Sequence, residues 1–245
     1  MNILAVIPAR YASQRFPGKP LVLIEGRPMV QWVYEAALGC AAFSRVVVAT
    51  DSGLIAEAVL AFGGAVELTG STHETGTDRV AEVAARYPES DVVVNVQGDQ
   101  PFVSAPMLHA LVQPFLDGRV PPMATLGCPL DMEQGYADPN TVKVICNQHG
   151  DALYFSRSPV PYLRNPGRVP VYQHLGLYAF QRSFLTEYAR LAPTPLERAE
   201  GLEQLRVLEH GYRIAVSLTE YAVPEINTPE DLEAGRAFLA RRRAE

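Results

Sequence analysis

The sequence predicts an α/β fold built on a mostly parallel sheet that helices cover on both faces. Short apolar runs alternate with stretches of helical periodicity up to about residue 115, a pattern typical of βαβ units. Several of these runs are continuous, as in strands that are buried on both faces. From about residue 122 the runs indicate antiparallel strands, which we interpret as a small antiparallel-rich insertion near 130–180 within a single domain spanning 1–245.

The first half of the chain divides into strands and helices at glycine and proline residues. The run at 3–7 predicts a strand, and a helix at 28–38 follows, with Pro28 suited to its first turn. A strand at 45–51 precedes a helix at 54–62 that ends at Gly63 and Gly64, since glycine is common just after helices. This half is completed by a strand at 65–68, a helix near 78–87, a strand within 91–99 and a helix at about 104–115.

The second half begins with strands within 123–130, 141–156 and 174–181, and a turn at 149–151 divides the middle stretch into a pair. Four prolines between 158 and 170 favour a loop. Helices at 182–191 and 196–209 and a strand at 212–218 follow. A final helix is predicted after Thr228, a capping residue, with Pro229 at its first position.

The composition limits the class of protein. Hydrophobic residues make up 48% and charged residues 20% of the 245 positions, which is ordinary for a globular enzyme. The net charge of −6 argues against a nucleic-acid-binding protein, because such domains are usually basic. No apolar run approaches the roughly 18–20 residues of a membrane helix, and the apolar start lacks the basic segment of a signal peptide. Three cysteines without CxxC spacing are typical of a reducing compartment, so we expect a cytoplasmic protein without nucleic-acid or membrane partners.

A basic loop follows the first predicted strand. Arg10, Arg15 and Lys19 lie within ten residues, whereas the first acidic residue of the chain is Glu25. Open parallel sheets bind ligands beyond the carboxyl ends of their strands, which directs the loop at the expected ligand edge. Two guanidinium groups and an ammonium group suit a polyphosphate. The loop matches neither a Walker sequence nor GxGxxG, and a solvated loop whose cations pair with distant acids explains its composition equally well.

Asp99 lies at the end of another predicted strand, in the segment VNVQGDQP. A carboxylate that faces phosphate groups is unfavourable unless Mg²⁺ lies between them, and Mg²⁺ is usually held by one or two carboxylates together with phosphate oxygens. The alternative is a turn aspartate that bonds its own backbone, since Gly-Asp is a common turn pair. The position at a strand end favours the metal-binding interpretation.

Other polar residues have structural as well as functional explanations. Thr77, as the cap, and Asp78 suit the beginning of a helix. His174 stands among apolar residues, where a lone histidine is more often a satisfied core residue than a ligand. Glu203 and Gln204 lie on a predicted helix with a leucine stripe and, taken alone, indicate a solvated face.

Taken together, these segments resemble one family, the 3-deoxy-manno-octulosonate cytidylyltransferases, also called CMP-Kdo synthetases. The resemblance covers essentially the whole chain in family order and rests on the stretches IPARYASQRFPGKPL, VVVATD, ETGTDRVAEV, VVNVQGDQP, NTVKVI, ALYFSRSPVP, HLGLYAF, PLERAEGLEQLRVLEHG and TPEDLE. It implies a Rossmann-like, doubly wound sheet of the nucleotide-diphospho-sugar transferase type, with a sugar-binding and dimerisation region at about 130–180. It further implies a nucleotidyltransferase, commonly a homodimer, that uses Mg²⁺ and converts CTP and Kdo into CMP-Kdo and pyrophosphate for lipopolysaccharide biosynthesis.

The resemblance also implies a role for individual residues. Those implied to be catalytic are Lys19, Arg10, Arg15 and Asp99, and Lys19 is implied to stabilise charge on the α-phosphate and the departing pyrophosphate. Those implied to bind the nucleotide are Ala9, Arg10, Ser13, Arg15, Lys19, Gly76, Thr77, Arg79 and Gln97. Those implied to contact the sugar acid are Arg157, His174, Tyr178, Glu203 and Gln204, and the implied metal ligands are Asp99 and Asn227.

Two residues depart from the usual pattern of the family. Gln100 stands where the family usually has Glu, and Asn227 stands where it usually has a metal-binding Asp. An Asn carbonyl can bind Mg²⁺ but brings no charge, so we expect a higher Mg²⁺ requirement than with Asp. Two alternatives therefore stay open: a cytidylyltransferase for a related ulosonic acid, such as an amino-substituted Kdo or a sialic-type sugar, and a catalytically weakened CTP-binding module.

Overall fold

A computed structural model describes residues 1–12, 16–73, 75–165, 167, 169–220 and 222–244. The chain forms two compact units: the first unit comprises Met1–His109 and Val223–Glu245, and the second unit comprises Ala110–Ala222. Within the described ranges, no helix is both long enough and apolar enough to cross a bilayer.

The strands and helices follow one another as the periodicity predicts. The strands are β1 (Ile3–Ala9), β2 (Leu23–Ile24), β3 (Arg27–Pro28), β4 (Arg45–Thr50), β5 (Val66–Leu68), β6 (Val92–Asn95), β7 (Met123–Pro129), β8 (Lys143–Cys146), β9 (Ala152–Ser156), β10 (Tyr172–Gln181) and β11 (Ile214–Leu218). The helices are α1 (Met29–Leu38), α2 (Gly53–Ala61), α3 (Gly76–Ala85), α4 (Ala105–Leu116), α5 (Arg182–Tyr188), α6 (Pro195–Glu200), α7 (Leu205–Glu209) and α8 (Pro229–Ala244).

The first unit is built on parallel strands in the order β6-β1-β4-β5. From Ile3 to Ile7, every residue of β1 is at most 1% exposed. Successive side chains of a strand point to opposite faces, so this burial requires cover on both faces, as the continuous apolar run predicts. Helices α1, α2 and α3 pack on these strands.

The order of the strands changes direction at β1. The chain passes from β1 outward through β4 to β5 and then returns to the other side of β1 for β6. The crevice beyond the carboxyl ends of two such strands is where open α/β sheets bind ligands. The basic loop follows β1 and Asp99 follows β6, so both lie at this point.

The second unit has a different sheet pattern. β11 runs parallel to β7, whereas β7 pairs antiparallel with β10, β10 with β8, and β8 with β9. The turn between β8 and β9 includes Gly150 with φ +77°, close to the predicted turn at 149–151. The predicted fold class is confirmed, with a parallel sheet in the first unit and antiparallel pairs within 123–181 in the second. A role of that region in dimerisation stays a prediction.

Local details differ from the predictions at four places. The predicted helix 196–209 is divided into α6 and α7, because Gly201 adopts a left-handed conformation (φ +63°) that ends α6. Strands β2 and β3 form a hairpin that the sequence does not predict, because two residues per strand are too few to show an alternation of apolar and polar side chains. Within the basic loop, residues Lys19–Leu21 form one 3₁₀ turn.

The fourth difference concerns the beginning of α3. The capping residue is Thr75, not Thr77: Thr75 Oγ1 accepts from the backbone N of Asp78, and Asp78 Oδ2 accepts from the backbone N of Thr75. This reciprocal pair satisfies two donors that the helix end leaves unpaired. The predicted cap of α8 is confirmed, since Thr228 Oγ1 accepts from the backbone N of Asp231 at 3.2 Å.

Candidate active site

A cavity of about 290 Å³ opens in the first unit beyond the carboxyl ends of β1 and β6. It is lined by the end of β1 and the loop after it, the segment after β6 and the first residue of α3, namely Pro8, Ala9, Arg10, Ala12, Lys19, Pro20, Gly76, Gln97, Gly98 and Asp99. The predicted nucleotide residues that reach this lining are Ala9, Arg10, Lys19, Gly76 and Gln97. Ser13 and Arg15 lie outside the described residues. Cations and a carboxylate thus meet in a space large enough for part of a nucleotide.

Lys19 directs its ammonium group at two oxygen atoms. Gly18, before the 3₁₀ turn, has φ +70°, which glycine adopts without strain, and its N–H donates to Tyr11 O at 2.9 Å. Lys19 Nζ lies 3.0 Å from Asp99 Oδ2 and 3.3 Å from Asn227 Oδ1. The counter-charge of Lys19 therefore comes from a residue 80 positions away.

Asp99 is placed by two close backbone contacts. A Cβ atom at Gly98 would lie 2.8 Å from Pro8 O, closer than real Cβ contacts allow, so glycine lets the segment after β6 approach β1. The carbonyl of Asp99 accepts from Ile226 N at 2.9 Å, and the Ile226 side chain is fully buried. This bond fixes the segment before α8 beside Asp99 and thereby places Asn227.

A second carboxylate, for which the sequence pattern carries no signal, lies beside Asp99. Glu225 Oε1 accepts from Gln100 Nε2 at 2.8 Å, and Oε2 accepts from Asn227 Nδ2 at 3.5 Å. The residue as a whole is exposed, but burial of its carboxyl group and the negative charge of Asp99 raise the pKa of Glu225. A single Glu in the loop before a helix has no distinguishing spacing, and only the fold brings it to Asp99.

Thr77 and Arg79, both predicted to belong to the nucleotide pocket, are buried and bonded to residues of the first unit. Thr77 is 1% exposed, and its Oγ1 accepts from Asn95 Nδ2 at 3.2 Å. Arg79 is fully buried; its Nη2 lies 3.3 Å from Asp51 Oδ2, and its Nη1 donates to Thr69 Oγ1. Asp51 and Thr69 directly follow β4 and β5, so Arg79 ties together the ends of these two strands.

In the second unit, His174, Tyr178 and Gln204 form one buried network. Gln204 Nε2 lies 3.5 Å from His174 Nδ1, and Tyr178 OH donates to Gln204 Oε1 at 3.1 Å. The other ring nitrogen of His174 lies 2.9 Å from Thr125 Oγ1. Burial lowers the pKa of His174 to about 3, so the ring is neutral near pH 7. His174 thus has the contacts of a satisfied core histidine, and it helps to orient Gln204.

Arg157, also predicted to contact the sugar acid, is half-buried and held by main-chain carbonyls. Its Nε donates to Glu200 O at 2.8 Å, and its Nη1 donates to Pro139 O at 3.0 Å. The fully buried Lys143 donates to Arg157 O at 2.7 Å. These contacts hold the guanidinium plane in one orientation, which suits recognition of a carboxylate. Glu203 is half-buried and precedes Gln204.

The donor atoms near Lys19 fit a hard divalent cation only in part. Among the described residues, no three His, Cys, Asp or Glu side chains are grouped so that they could hold a metal ion. Asp99 Oδ2 and Asn227 Oδ1 nevertheless converge on one cationic group, the Lys19 ammonium. Mg²⁺ prefers oxygen donors and usually takes one or two carboxylates plus substrate phosphates. The residues therefore fit Mg²⁺ when water molecules, or the phosphate oxygens of a nucleotide, supply the remaining oxygens.

Comparisons with known proteins match most or nearly all of the chain to cytidylyltransferases. The family model described as Cytidylyltransferase matches residues 4–214. The chain is 64% identical over 239 residues to a 3-deoxy-manno-octulosonate cytidylyltransferase of Acaryochloris marina, covering 98% of each chain. It is 54% identical over 243 residues to the protein of the same name in Synechococcus elongatus, covering 99% of this chain and 100% of that one.

Two solved structures resemble the chain to different degrees. A CMP:2-keto-3-deoxy-manno-octonic acid synthetase complexed with CTP is 43% identical, with a TM-score of 0.95, over 99% of this chain and 100% of that one. A 4-diphosphocytidyl-2C-methyl-D-erythritol synthase from Anaerococcus prevotii is 16% identical, with a TM-score of 0.64, over 98% of this chain and 99% of that one. The second likeness concerns the fold alone.

Proposed function

The chain belongs to the 3-deoxy-manno-octulosonate cytidylyltransferase family, and from this premise we propose that it activates Kdo with CTP. The products are CMP-Kdo, for lipopolysaccharide biosynthesis, and pyrophosphate. The observation that carries the proposal is the cavity where Arg10, Lys19 and Asp99 meet. It occurs in a chain that is similar over its whole length to a synthetase complexed with CTP.

In the proposed reaction, the anomeric hydroxyl oxygen of Kdo forms a bond to the α-phosphorus of CTP. The bond from that phosphorus to the bridging oxygen breaks, pyrophosphate leaves with the bonding electron pair, and the hydroxyl proton is released. Negative charge grows on the phosphate oxygens during this exchange, so the protein acts mainly by positioning and charge stabilisation.

The loop after β1 is proposed to bind the triphosphate. Arg10 and Lys19 line the cavity, and Lys19 is proposed to stabilise charge on the α-phosphate and on the leaving pyrophosphate. Its flexible stem allows the ammonium group, now on Asp99, to turn to phosphate oxygens. Ser13 and Arg15 are proposed to hold the same phosphates on the strength of the resemblance.

Of the remaining residues predicted to bind the nucleotide, some are proposed to contact it directly and others to support those that do. Ala9, Gly76 and Gln97 line the cavity and are proposed to contact the nucleotide. Thr77 and Arg79 follow Gly76 in the sequence, and both side chains are buried. They are proposed to support the beginning of α3, where Gly76 lies.

Asp99 and Asn227 are proposed to hold Mg²⁺, which when bound supplies positive charge to the phosphate oxygens. The supporting observation is that an oxygen atom of each residue already contacts one cationic group. Asn227 adds no charge of its own, so the ion is proposed to bind more weakly than between two aspartates.

In the second unit, the Arg157 guanidinium is proposed to pair with the carboxylate of the sugar acid. Tyr178, Glu203 and Gln204 offer donors and acceptors for its hydroxyl groups. His174 is proposed to act by holding Gln204, because its own ring nitrogens already have partners.

Assembly and location complete the proposal. We propose a homodimer, on the strength of the resemblance, and a cytoplasmic location, where CTP is supplied and the free thiols Cys40, Cys128 and Cys146 stay reduced. Sedimentation velocity distinguishes a dimer from a single chain of 26.8 kDa.

The proposed reaction is tested by following pyrophosphate release from CTP and Mg²⁺ with and without Kdo. Release that depends on Kdo is expected, and its absence with folded, Mg²⁺-replete protein would overturn the proposal. A panel of sugar acids at fixed CTP, including an amino-substituted Kdo and a sialic acid, tests the related substrates. Tight CTP binding without turnover of any acid would favour a CTP-binding module.

A further inference from the structure

Glu225 joins the segment before α8 to the residue that follows Asp99. Its two carboxylate oxygens each accept from a different amide: Oε1 from Gln100 Nε2 at 2.8 Å and Oε2 from Asn227 Nδ2 at 3.5 Å. Gln100 is 3% exposed, and its Oε1 has no hydrogen-bond partner in the described part of the chain. The bond to Glu225 is therefore what orients the Gln100 amide.

The same carboxylate orients the amide of Asn227. An amide has a donating end and an accepting end, and here the donating Nδ2 faces Glu225 while the accepting Oδ1 faces Lys19 Nζ at 3.3 Å. The reversed amide would place its NH₂ group against the ammonium and its oxygen against the carboxylate, and both contacts are repulsive. Glu225 thus selects the orientation in which Asn227 presents an oxygen beside Asp99.

Glu225 also changes the charge of the site. Asn227 is neutral, so Asp99 alone provides one negative charge for a divalent cation. The carboxylate of Glu225 lies one amide away from the proposed cation, since Asn227 contacts Glu225 through Nδ2 and faces Lys19 with Oδ1. A negative charge at that distance attracts a divalent cation. Carboxylates that hydrogen-bond to metal ligands fix their orientation, and their loss typically lowers metal affinity.

We propose that Glu225 is a positioning residue for a divalent cation held by Asp99 and Asn227. It holds the Asn227 amide with its oxygen toward Asp99 and supplies the second negative charge of the site. The inference rests on the proposed function, because it assumes that this pair of oxygens binds the cation.

The test measures Mn²⁺ binding to the full chain without nucleotide, from the loss of the electron paramagnetic resonance signal of free Mn²⁺. Glu225→Gln is expected to weaken Mn²⁺ binding about tenfold. Glu225→Asp keeps the charge and is expected to retain most of the affinity, which a merely structural role does not predict. As the matched control, Glu57→Gln removes one charge from an exposed residue of α2 and should change the affinity by less than about twofold.

The second arm combines Glu225→Gln with Asn227→Asp. A carboxylate at position 227 needs no orienting partner and carries its own charge, so the double variant is expected to regain approximately the wild-type affinity. Urea unfolding of each variant shows whether the comparison is made on folded protein. If Glu225→Gln does not fold, Glu225→Asp decides the test, and weak Mn²⁺ binding by that variant counts against the inference.

The outcomes separate the inference from the proposed function. Equal Mn²⁺ affinity in wild type and Glu225→Gln, or no recovery in the double variant, overturns the role of Glu225 and leaves Kdo-dependent pyrophosphate release intact. If the wild type releases no pyrophosphate with Kdo, the proposed function fails instead. No detectable Mn²⁺ binding by an active wild type also overturns the inference.

Discussion

At the scale of single residues, Lys19 shows how far the partner of a charge can lie along the chain. No acidic residue precedes Glu25, yet the Lys19 ammonium lies 3.0 Å from Asp99. The two side chains are 15% and 26% exposed, and a pair with this much solvent contact stabilises the fold by only about 0–1 kcal/mol. The contact therefore keeps a cation at the cavity and adds little to stability.

Replacing Lys19 by Met is expected to lower kcat for pyrophosphate release by at least about 100-fold, because the charge that develops on phosphate oxygens loses its partner. The free energy of unfolding should change by less than about 1 kcal/mol. Steady-state assays and urea unfolding measure the two effects. Arg27→Met removes a surface cation that pairs with Glu35 and serves as the control. A large loss of stability in Lys19→Met, sufficient to explain the loss of activity, would contradict this assignment.

His174 links the stability of the protein to pH. Burial lowers its pKa from 6.5 to about 3, so the folded protein does not take up the proton that the unfolded chain binds below about pH 6.5. Stability that is present above pH 6.5 is therefore lost as the pH falls, by roughly 2 kcal/mol between about pH 6.5 and 5. Urea unfolding across this range is the measurement, with His174→Gln as the comparison. The variant should show a flatter profile, and identical profiles would mean that His174 is not the group responsible.

At the scale of elements, the cavity depends on how two loops leave neighbouring strands. β1 and β6 pair in parallel from Ile3↔Val92 to Val6↔Asn95, and beyond this ladder Gly98 lies against the carbonyl of Pro8. The approach brings the basic loop and Asp99 to the same space. Continuous apolar runs predict the two strands, but the contact between their loops follows from the pairing of segments that are far apart in the sequence.

Gly98→Ala is expected to destabilise the protein by about 1–3 kcal/mol and to weaken CTP binding, because the new Cβ forces the segment after β6 away from the end of β1. Gly53→Ala is the matched control, since a Cβ there meets no atom within 4 Å of its position. That change should leave the stability within about 1 kcal/mol or raise it, because alanine favours a helix. Urea unfolding and calorimetric titration with CTP measure the two effects. If Gly98→Ala behaves like Gly53→Ala, the close approach does not constrain the site.

At the scale of the whole molecule, the net charge of −6 opposes the binding of a triphosphate. We therefore predict that binding depends on the local collection of cations in the loop after β1, and that a nucleotide with fewer phosphates loses most of that attraction.

CTP with Mg²⁺ at about 100 times its dissociation constant should stabilise the folded protein by about 2.7 kcal/mol, because it binds the folded state alone. Thermal unfolding with increasing nucleotide measures this effect, and CMP at the same concentration is expected to stabilise much less. Equal stabilisation by CTP and CMP would show that the basic loop does not bind the β- and γ-phosphates.

Short stretches of the sequence are sufficient to predict the strands, the helix ends and the ligand edge of the sheet. Continuous apolar runs predict the buried strands of the first unit, Thr228 and Pro229 predict the beginning of α8, and the positions of Lys19 and Asp99 after strands predict the ligand edge. Each inference uses the spacing or backbone preference of a few neighbouring residues, which packing changes little. The division between α6 and α7 shows the limit, because the left-handed Gly201 ends α6 inside a stretch that the sequence predicts as one helix.

The rest of the site is determined by contacts between segments that are far apart in the sequence. The pairing of Lys19 with Asp99, the burial of Arg79 against Asp51, and the position of Glu225 beside Gln100 and Asn227 have no local signal. The strength of each contact depends on separation and on exclusion of water, both of which arise when strands and loops pack together. The sequence therefore predicts the strands and the kinds of charge at their ends, while folding selects which oxygen atoms face the ammonium group of Lys19.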